Sequence, residues 1–353
     1  MRLYFFVALN LLVNLSYAQP TSWTSSGIGG GGSLFAPSIS PTNPADMYIQ
    51  CDMSEVFHST NSGLTWQTVS FKQLISTGGL HSVAYTSDPD ILYAVNYGIL
   101  DDTRFPVKSN DGGLSWTPLL SDPTDGEVWF LSADPASTQR IIISSYSALY
   151  LSVDGGNTFN LKYNQSADFL ISGVFWDGDN IYVGTQIGLI VSHDGGITFS
   201  GDAGSGMPAG YGFISFTGSK SNGTTRLMGT IAAQADLYPG VNALDIEIYS
   251  SIVTMVYGST GWIQTVSGIN PNHRLFYIAS ARNNSSIFYV GGTDPNSSYP
   301  VIYKTTDGGN SWDEVFLAYN NQNISTGYSG YHGDKDWWYG EIVFGLAVAP
   351  NDA

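Results

Sequence analysis

The chain has 353 residues, of which 29 are Asp or Glu and 12 are Lys or Arg, so its formal net charge at pH 7 is −17. This acidic balance argues against a ligand with a phosphate backbone, and we expect no nucleic-acid partner. Charged residues make up only 12% of the sequence, whereas Gly (41) and Tyr (22) are abundant. Such a composition is typical of a turn-rich all-β protein whose neutral polar surface favours an uncharged ligand.

Residues 1–18 are the first predicted element, a secretory signal peptide. Arg2 supplies the positive start, and Leu3 to Leu15 is an apolar run broken only by two asparagines. Small residues at Ser16 and Ala18 predict cleavage before Gln19. As a membrane anchor the run is too short to span a bilayer. We therefore expect a secreted, extracellular protein without a membrane span, in which residues 19–353 form one domain.

Cys51 is the one cysteine of the chain, so an internal disulfide is impossible. A chain of this length can bury a core without such a cross-link. Cys51 ends an apolar run that begins at Met47, and we predict a buried structural thiol. The five histidines are isolated in the sequence, so we expect no metal site and no cofactor.

A turn motif of the form Ser/Thr-x-Asp-Gly-Gly-x-Thr/Ser-Trp recurs along the chain at intervals of roughly forty to fifty residues. Its Asp can accept hydrogen bonds from backbone N–H groups, its glycines allow positive φ, and its aromatic residue can pack back between sheets. The Asp residues of these Asp boxes are therefore expected to be structural: Asp111, Asp154, Asp194 and Asp307. The first box, at 59–66, has Asn61 in place of Asp, and Tyr257 to Trp262 resembles an eroded box.

The segments between the boxes predict four-stranded blades, and repeated blades predict an all-β propeller. Their innermost strands are expected to begin near Leu34, Ser82, Val128, Ile171, Phe213, Leu275 and Ile342. Six blades are complete or nearly so, and residues 346–352 match the opening of another. We therefore predict a seven-bladed propeller whose last blade is incomplete, in a sequence truncated at its C-terminal end. Trp23 lies in a segment that resembles an outer strand able to close the ring, and a ring of six blades with a loose tail is the alternative.

Topology divides the predicted loops between two faces. The Asp boxes join third and fourth strands, so they share a face with the turns between first and second strands. The opposite face, called the mouth below, carries the second-to-third turns and the connections between blades, and the long insertions fall there. Carboxylates among exposed aromatic rings are typical of carbohydrate sites. The candidate substrate-binding residues are Glu55, Trp129, Trp176, Tyr331, His332, Trp337 and Trp338. For Trp129 and Trp176, packing between blades is an equal alternative.

The N-terminal segment resembles the opening of glycoside hydrolase family 74, whose members are xyloglucanases and related β-1,4-glucan hydrolases. The match covers about fifty residues. It rests on Trp23, the glycines 30–32, Ala36 to Ile39, Pro41 to Pro44, Tyr48 and Asp52. The resemblance implies two seven-bladed Asp-box propellers with a substrate cleft between them, and it makes Asp52 one of two catalytic acids. The other acid belongs to a second propeller. Gln50-Cys51 and Met53-Ser54 depart from the family's Arg-Thr and Ile-Gly.

The sequence thus predicts a secreted, monomeric hydrolase that degrades a neutral polysaccharide such as xyloglucan by an inverting acid/base mechanism. Asp52 is the candidate catalytic base or substrate-positioning carboxylate, and capping of its own turn is the alternative. The second hypothesis is a non-catalytic propeller, either carbohydrate-binding or resembling the sortilin ectodomains that bind peptides. A polysaccharide lyase with His332 or a tyrosine as base also stays open. A sialidase is disfavoured, because the arginines lack the setting of the triad that binds a carboxylate substrate.

Overall fold

The computed structural model describes residues 23–24, 33–76, 83–98, 100–165, 168–202, 204–297, 299–317, 324–325 and 342–350. Within these residues the chain forms six four-stranded sheets, each with its strands in sequence order and antiparallel. The sheets are the blades of a β-propeller, and the first strand of each blade lies nearest the axis. The all-β propeller predicted from the repeat is therefore confirmed.

The strands of the six blades follow one another in the chain after β1 (Trp23–Thr24). Blade 1 contains β2 (Leu34–Ile39), β3 (Met47–Cys51), β4 (Val56–Ser59) and β5 (Gln67–Thr68). Blade 2 contains β6 (Ala84–Tyr85), β7 (Leu92–Gly98), β8 (Thr103–Ser109) and β9 (Thr117–Pro118). Blade 3 contains β10 (Phe130–Ala133), β11 (Ile141–Ser144), β12 (Ala148–Ser152) and β13 (Asn160–Asn164).

Blade 4 contains β14 (Ile171–Asp177), β15 (Asn180–Thr185), β16 (Gly188–Ser192) and β17 (Ser200–Gly201). Blade 5 contains β18 (Tyr211–Ser221), β19 (Thr224–Ala233), β20 (Ser251–Val256) and β21 (Ile263–Gln264), and two 3₁₀ helices, Gln234–Asp236 and Ala243–Ile248, precede β20. Blade 6 contains β22 (Arg274–Ser280), β23 (Phe288–Asp294), β24 (Tyr299–Thr305) and β25 (Asp313–Leu317). Finally, β26 (Ile324–Ser325) pairs with β1 in parallel, outside the blades.

The hydrophobic core is a series of layers between neighbouring blades. Middle strands are covered on both faces, so they read as continuous apolar runs rather than as alternating patterns. In β11, for example, Ile141, Ile142 and Ile143 are all fully buried. Cys51 is 1% exposed at the end of β3, and the prediction of a buried thiol is confirmed.

Each Asp box has the same hydrogen-bond geometry, in the turn between the third and fourth strands. In blade 2, the Ser109 hydroxyl donates to Asp111 Oδ1 at 2.8 Å, while Ser115 donates its backbone N–H to Oδ1 at 2.9 Å and its hydroxyl to Oδ2 at 2.6 Å. The bonds from Ser115 and Ser109 lower the pKa of the Asp111 carboxyl. The same pattern recurs at Asp154, Asp194 and Asp307. In each of these boxes the aspartate bridges the two ends of its own turn.

The boxes of blades 2, 4 and 6 also join their blade to the blade before it. The second glycine of each box packs under a middle-strand side chain of the preceding blade, and a Cβ there would collide with it. At Gly113 the Cβ would lie 2.0 Å from the Tyr48 hydroxyl, and at Gly196 it would lie 2.2 Å from Leu151 Cδ2. The Tyr48 hydroxyl donates to the Gly112 carbonyl at 3.3 Å, so part of this contact is polar.

The structure contains six blades, and the prediction of a seven-bladed ring is wrong for the described residues. Residues 342–350, where a further innermost strand was expected, form no strand. They nevertheless lie between blade 6 and blade 1. Val343 donates its N–H to the Gly292 carbonyl, the Phe344 ring contacts Phe35 at 5.0 Å, and Arg282 donates its N–H to the Pro350 carbonyl. Trp23 in β1 pairs with Ile324 instead of serving as the outer strand of a blade.

Candidate functional site

The division of the loops between two faces follows the prediction. The turn 52–55 joins β3 to β4, residues 100–102 lie between β7 and β8, and residues 145–147 join β11 to β12, so all three belong to the mouth. Residues 234–250 of blade 5 join β19 to β20 and also belong to it. The mouth is therefore built by loops, whereas its shape is fixed by the rigid strands below.

Asp52 is exposed at the start of the turn between β3 and β4. Its Oδ1 accepts the backbone N–H of Ser33 at 2.9 Å, and its own N–H donates to the Ser33 carbonyl at 3.2 Å. Ser54, in the same turn, has φ of 85°. Oδ2 of Asp52 accepts no hydrogen bond from the described residues. Oδ1 is therefore held by Ser33, whereas Oδ2 is available to a ligand. The carboxylate thus anchors the entry to β2, and it does not cap its own turn.

A chain of hydrogen bonds connects this turn to blade 2. Ser76 donates its N–H to the Ser54 carbonyl at 3.0 Å, and Ile75 donates its N–H to Asn96 Oδ1 at 2.8 Å. Tyr97 in turn donates its N–H to the Ile75 carbonyl at 3.1 Å. The mouth loops of blades 1 and 2 therefore form one continuous rim.

Beyond this rim lies a cluster of four side chains, Tyr97, Arg104, Trp129 and Tyr146, called the arginine–aromatic cluster below. The Arg104 guanidinium carbon lies 4.1 Å from the centre of the Trp129 ring and 5.5 Å from that of Tyr97. The rings of Trp129 and Tyr146 are 4.5 Å apart. Cation–π contact of this kind orients the guanidinium and keeps its edge N–H groups free for a ligand. Tyr146 is 37% exposed, so its ring is accessible from solvent.

The insertion of blade 5 reaches the same cluster from across the mouth. A Cβ on Gly240 would lie 3.4 Å from Trp129 Cζ3, so the insertion contacts the indole edge. The insertion is held by its own hydrogen bonds: Asn242 caps the second 3₁₀ helix by accepting the N–H of Leu244, and the Tyr238 hydroxyl donates to Asp245 Oδ2 at 3.0 Å. Its apolar residues pack against blades 4 and 6. Trp129 is consequently fixed from two sides, and its buried Nε1 has no hydrogen-bond partner among the described residues.

Carboxylates surround the arginine–aromatic cluster. Asp102 accepts the Tyr97 hydroxyl at 2.7 Å and lies 3.9 Å from Arg104. The hydrogen bond to Asp102 raises the pKa of the Tyr97 phenol. Burial raises the pKa of the Tyr146 phenol. Arg104 lowers this pKa by a smaller amount, and Glu127 raises it. Stacking rings, an oriented guanidinium and nearby acids can together bind the faces and hydroxyls of a sugar.

The predicted substrate-binding residues are not all at the mouth. Glu55 is exposed there, and Trp129 immediately precedes β10. Trp176, however, lies near the end of β14, at the Asp-box face. It is 4% exposed, and its Nε1 donates to Ser132 Oγ of blade 3 at 3.0 Å. Trp176 therefore packs between blades 3 and 4, as the alternative to sugar binding expects. Four predicted residues lie outside the described part of the chain: Tyr331, His332, Trp337 and Trp338.

Sequence reasoning missed three members of the cluster, Tyr97, Arg104 and Tyr146. All three lie in or beside second-to-third turns, which the repeat had already assigned to the mouth, and that position was the signal that could have found them. Within the described ranges, no group of three or more His, Cys, Asp or Glu side chains is arranged to hold a metal ion. None of the helices in those ranges has the length and hydropathy that crossing a bilayer requires.

The blades and their repeated turns define the chain as an Asp-box β-propeller. Among solved structures it is similar to the GH74 xyloglucanase of Xanthomonas campestris, with a TM-score of 0.62 and 17% identity over 83% of this chain and 46% of that chain. It is also similar to an ancestral GH74 enzyme, with a TM-score of 0.64 and 19% identity over 85% of this chain and 41% of that one. YCF48 bound to D1 peptide matches with a TM-score of 0.54 and 11% identity over 84% of this chain and 82% of that one.

At these identities the similarity shows the fold alone. The resemblance to the propeller of GH74 enzymes is confirmed at that level, and the sortilin resemblance stays a prediction. The chain spans less than half the length of the GH74 enzymes that it matches. No known family model matches its sequence, and no curated protein is similar to it in sequence.

Proposed function

We propose that the chain is an exported propeller that binds a neutral β-1,4-glucan such as xyloglucan across its mouth, and that Asp52 is a catalytic carboxylate in its hydrolysis. The observation that carries the proposal is the placement of Asp52. Its carboxylate is exposed at the mouth rim, with Oδ1 held by the Ser33 N–H and Oδ2 open. The similarity of the fold to GH74 xyloglucanases supports the choice of substrate class.

The held oxygen gives Asp52 a defined orientation for proton transfer. Oδ2 would accept a proton from the attacking water, or bind a sugar hydroxyl, on one side of the scissile bond. An inverting reaction also needs a general acid roughly 6.5–9.5 Å away. The family resemblance assigns that acid to a second propeller. The arginine–aromatic cluster would bind the glucan chain further along the mouth, by stacking on Tyr146 and by donation from Arg104.

The test uses a dinitrophenyl xyloglucan oligosaccharide, whose leaving group departs without protonation, so that the reaction does not need the acid of a second propeller. Hydrolysis by the wild-type chain and by Asp52→Asn is followed as the release of dinitrophenolate. Asp179→Asn is the matched control, because Asp179 is an exposed carboxylate in the β14–β15 turn on the opposite face. We expect Asp52→Asn to lose at least about a hundredfold in rate while it still binds xyloglucan in affinity electrophoresis. The control should match the wild type. Undiminished hydrolysis by Asp52→Asn would end the assignment of Asp52.

A second candidate is a non-catalytic binding propeller, and one observation favours it. YCF48 bound to D1 peptide matches this chain over most of the length of both proteins, whereas the GH74 enzymes are matched over less than half of theirs. If the wild-type chain binds xyloglucan but releases no dinitrophenolate from the activated oligosaccharide, the carbohydrate-binding form of this candidate replaces the hydrolase. If it instead binds an extended peptide library and xyloglucan oligosaccharides do not compete, the peptide-binding form does.

A further inference from the structure

The propeller axis holds a cavity of about 320 Å³ at the Asp-box face, away from the mouth. Every blade contributes to its wall through the innermost strand or the residues just after it. Pro350 completes the wall between blades 6 and 1. The lining includes Ser38, Tyr85, Ser132, Val174, Phe216 and Arg282. A cavity of this volume suits a small molecule.

Arg282 brings a positive charge to this cavity. One of its guanidinium nitrogens, Nη2, donates to the Trp176 carbonyl at 2.6 Å, and its guanidinium carbon lies 5.5 Å from the centre of the Phe175 ring. Among the described residues, Arg282 forms no ion pair. Burial lowers its pKa to about 10, against the opposing effect of Asp134 and Asp177, so the group is still charged at neutral pH.

The two nearby carboxylates are already engaged by other cations. Asp134 forms an ion pair with Arg140, whose Nε donates to it at 2.7 Å, and Asp177 accepts Lys220 Nζ at 2.8 Å. Among the described residues, Arg282 is the one charged side chain that lines the cavity, and the two carboxylates that act on it are each paired with another cation. A charge removed from water without a counter-charge of its own is unfavourable, so Arg282 favours an anion in the cavity.

The hydroxyl groups of the wall also point to an anion. Ser38 Oγ is buried and has no hydrogen-bond partner among the described residues. Ser132 Oγ accepts the Trp176 indole N–H, which leaves its own O–H to donate. Two hydroxyl donors and a guanidinium thus share one cavity, and oxyanions accept hydrogen bonds from all three.

We infer that the axial cavity is a binding site for a small oxyanion or carboxylate, held by Arg282, Ser38 and Ser132. The ligand completes the charge balance of the ring centre, where all six innermost strands meet. Because it binds the folded and not the unfolded chain, it stabilises the fold increasingly as its concentration rises. This site is independent of the mouth, and its presence or absence leaves the proposed hydrolase function untouched.

The experiment is isothermal titration of the whole chain with malonate and, separately, with inorganic phosphate, at constant ionic strength set by sodium chloride. We expect the wild type to bind one of the two with a dissociation constant of about 1 mM or tighter. Arg282→Met should weaken this binding at least tenfold, and Ser38→Ala should weaken it about threefold. Malonate and phosphate distinguish a carboxylate site from a phosphate site.

Arg274→Met is the matched control, since Arg274 lies outside the cavity beside Glu247, and we expect it to bind like the wild type. Asp52→Asn should also bind like the wild type. The inference is overturned if neither probe binds the wild type, or if Arg282→Met and Ser38→Ala both bind as well as the wild type does. Asp352 follows Pro350 by two residues in the sequence and could supply a carboxylate of its own. If Asp352→Asn binds a probe that the wild type does not, the counter-anion belongs to the chain and the inference is also overturned.

Discussion

The box of blade 1 has Asn61 where the other boxes have Asp, so the substitution Asn61→Asp measures what the box carboxylate contributes to stability. Asn61 Oδ1 accepts the Ser59 hydroxyl at 3.0 Å and the Thr65 N–H at 2.9 Å, and its Nδ2 donates to Thr65 Oγ1 at 2.8 Å. In Asn61→Asp the carboxylate would accept all three bonds, as Asp111 does in blade 2. Only the Thr65 hydroxyl must rotate, so the turn needs no change of backbone.

The expected gain follows from the strength of the bonds. A hydrogen bond to a charged group contributes about 1.5–3 kcal/mol and a neutral one about 1, so three bonds set an upper limit of a few kcal/mol. Asn61 is exposed, and solvent screening reduces the gain to about 1 kcal/mol. For a chain of this size that raises the melting temperature by roughly 1–3 °C.

The gain should depend on pH in a defined direction. The aspartates of the other boxes have lowered pKa values, chiefly through hydrogen bonds from the Ser or Thr four residues on. The carboxylate introduced by Asn61→Asp should behave in the same way. It stabilises the fold fully above about pH 4, the ordinary value of the unfolded chain, and the gain is lost as the pH falls through its lower folded value.

Urea unfolding midpoints at pH 7 and near pH 2 measure both the gain and its loss. The control Asn222→Asp adds the same charge to the exposed turn between β18 and β19, outside any box, and should gain nothing. A variant Asn61→Asp that is no more stable than the wild type at pH 7, or equally stabilised at low pH, would refute the reasoning.

Two further predictions concern packing and ligand binding. Gly173→Ala places a Cβ 2.1 Å from the Phe216 carbonyl oxygen of the next blade and should cost at least about 2 kcal/mol of unfolding free energy, whereas Gly201→Ala has nothing within 4 Å and should change the urea midpoint little. Equal urea midpoints for Gly173→Ala and Gly201→Ala would show that blades 4 and 5 can move apart without loss of stability. Trp129→Ala should weaken binding of xyloglucan oligosaccharides at least tenfold, and Trp176→Phe should leave it unchanged while lowering stability. Calorimetric titration with the oligosaccharides measures the binding. If Trp176→Phe loses binding and Trp129→Ala does not, Trp176 and not Trp129 contacts the sugar.

Much of the fold could be predicted because the repeat carries local chemistry. The Asp boxes specify a turn, the turn fixes which strands flank it, and the order of strands fixes the two faces. The position of Trp176 was also within reach. Its strand was predicted to begin at Ile171, and at roughly 3.3 Å per residue Trp176 must lie near the opposite end. The error was to treat a residue inside the strand as one at its start.

Other features depend on partners that a linear pattern does not reveal. Residues 342–350 read as an innermost strand, yet a strand exists only where another chain segment pairs with it. They contact Gly292 and Phe35 without such a ladder in the described residues. Similarly, nothing in the sequence around Arg104 indicates that its guanidinium stacks on Trp129, because the contact is made by two blades whose relative placement comes from packing alone.

The contact between a box glycine and the preceding blade has a consequence for how such rings arise. Blade 3 carries both halves of the joint: Leu119 of blade 2 fills the cleft of bare backbone at Gly156, and Leu151 fills the cleft at Gly196 of blade 4. Tyr48 fills the cleft at Gly113, and Met228 lies over the cleft at Gly309. Duplication of a single blade therefore reproduces a matching pair of surfaces at once, and gene duplication can lengthen the array without a compensating mutation in its neighbours.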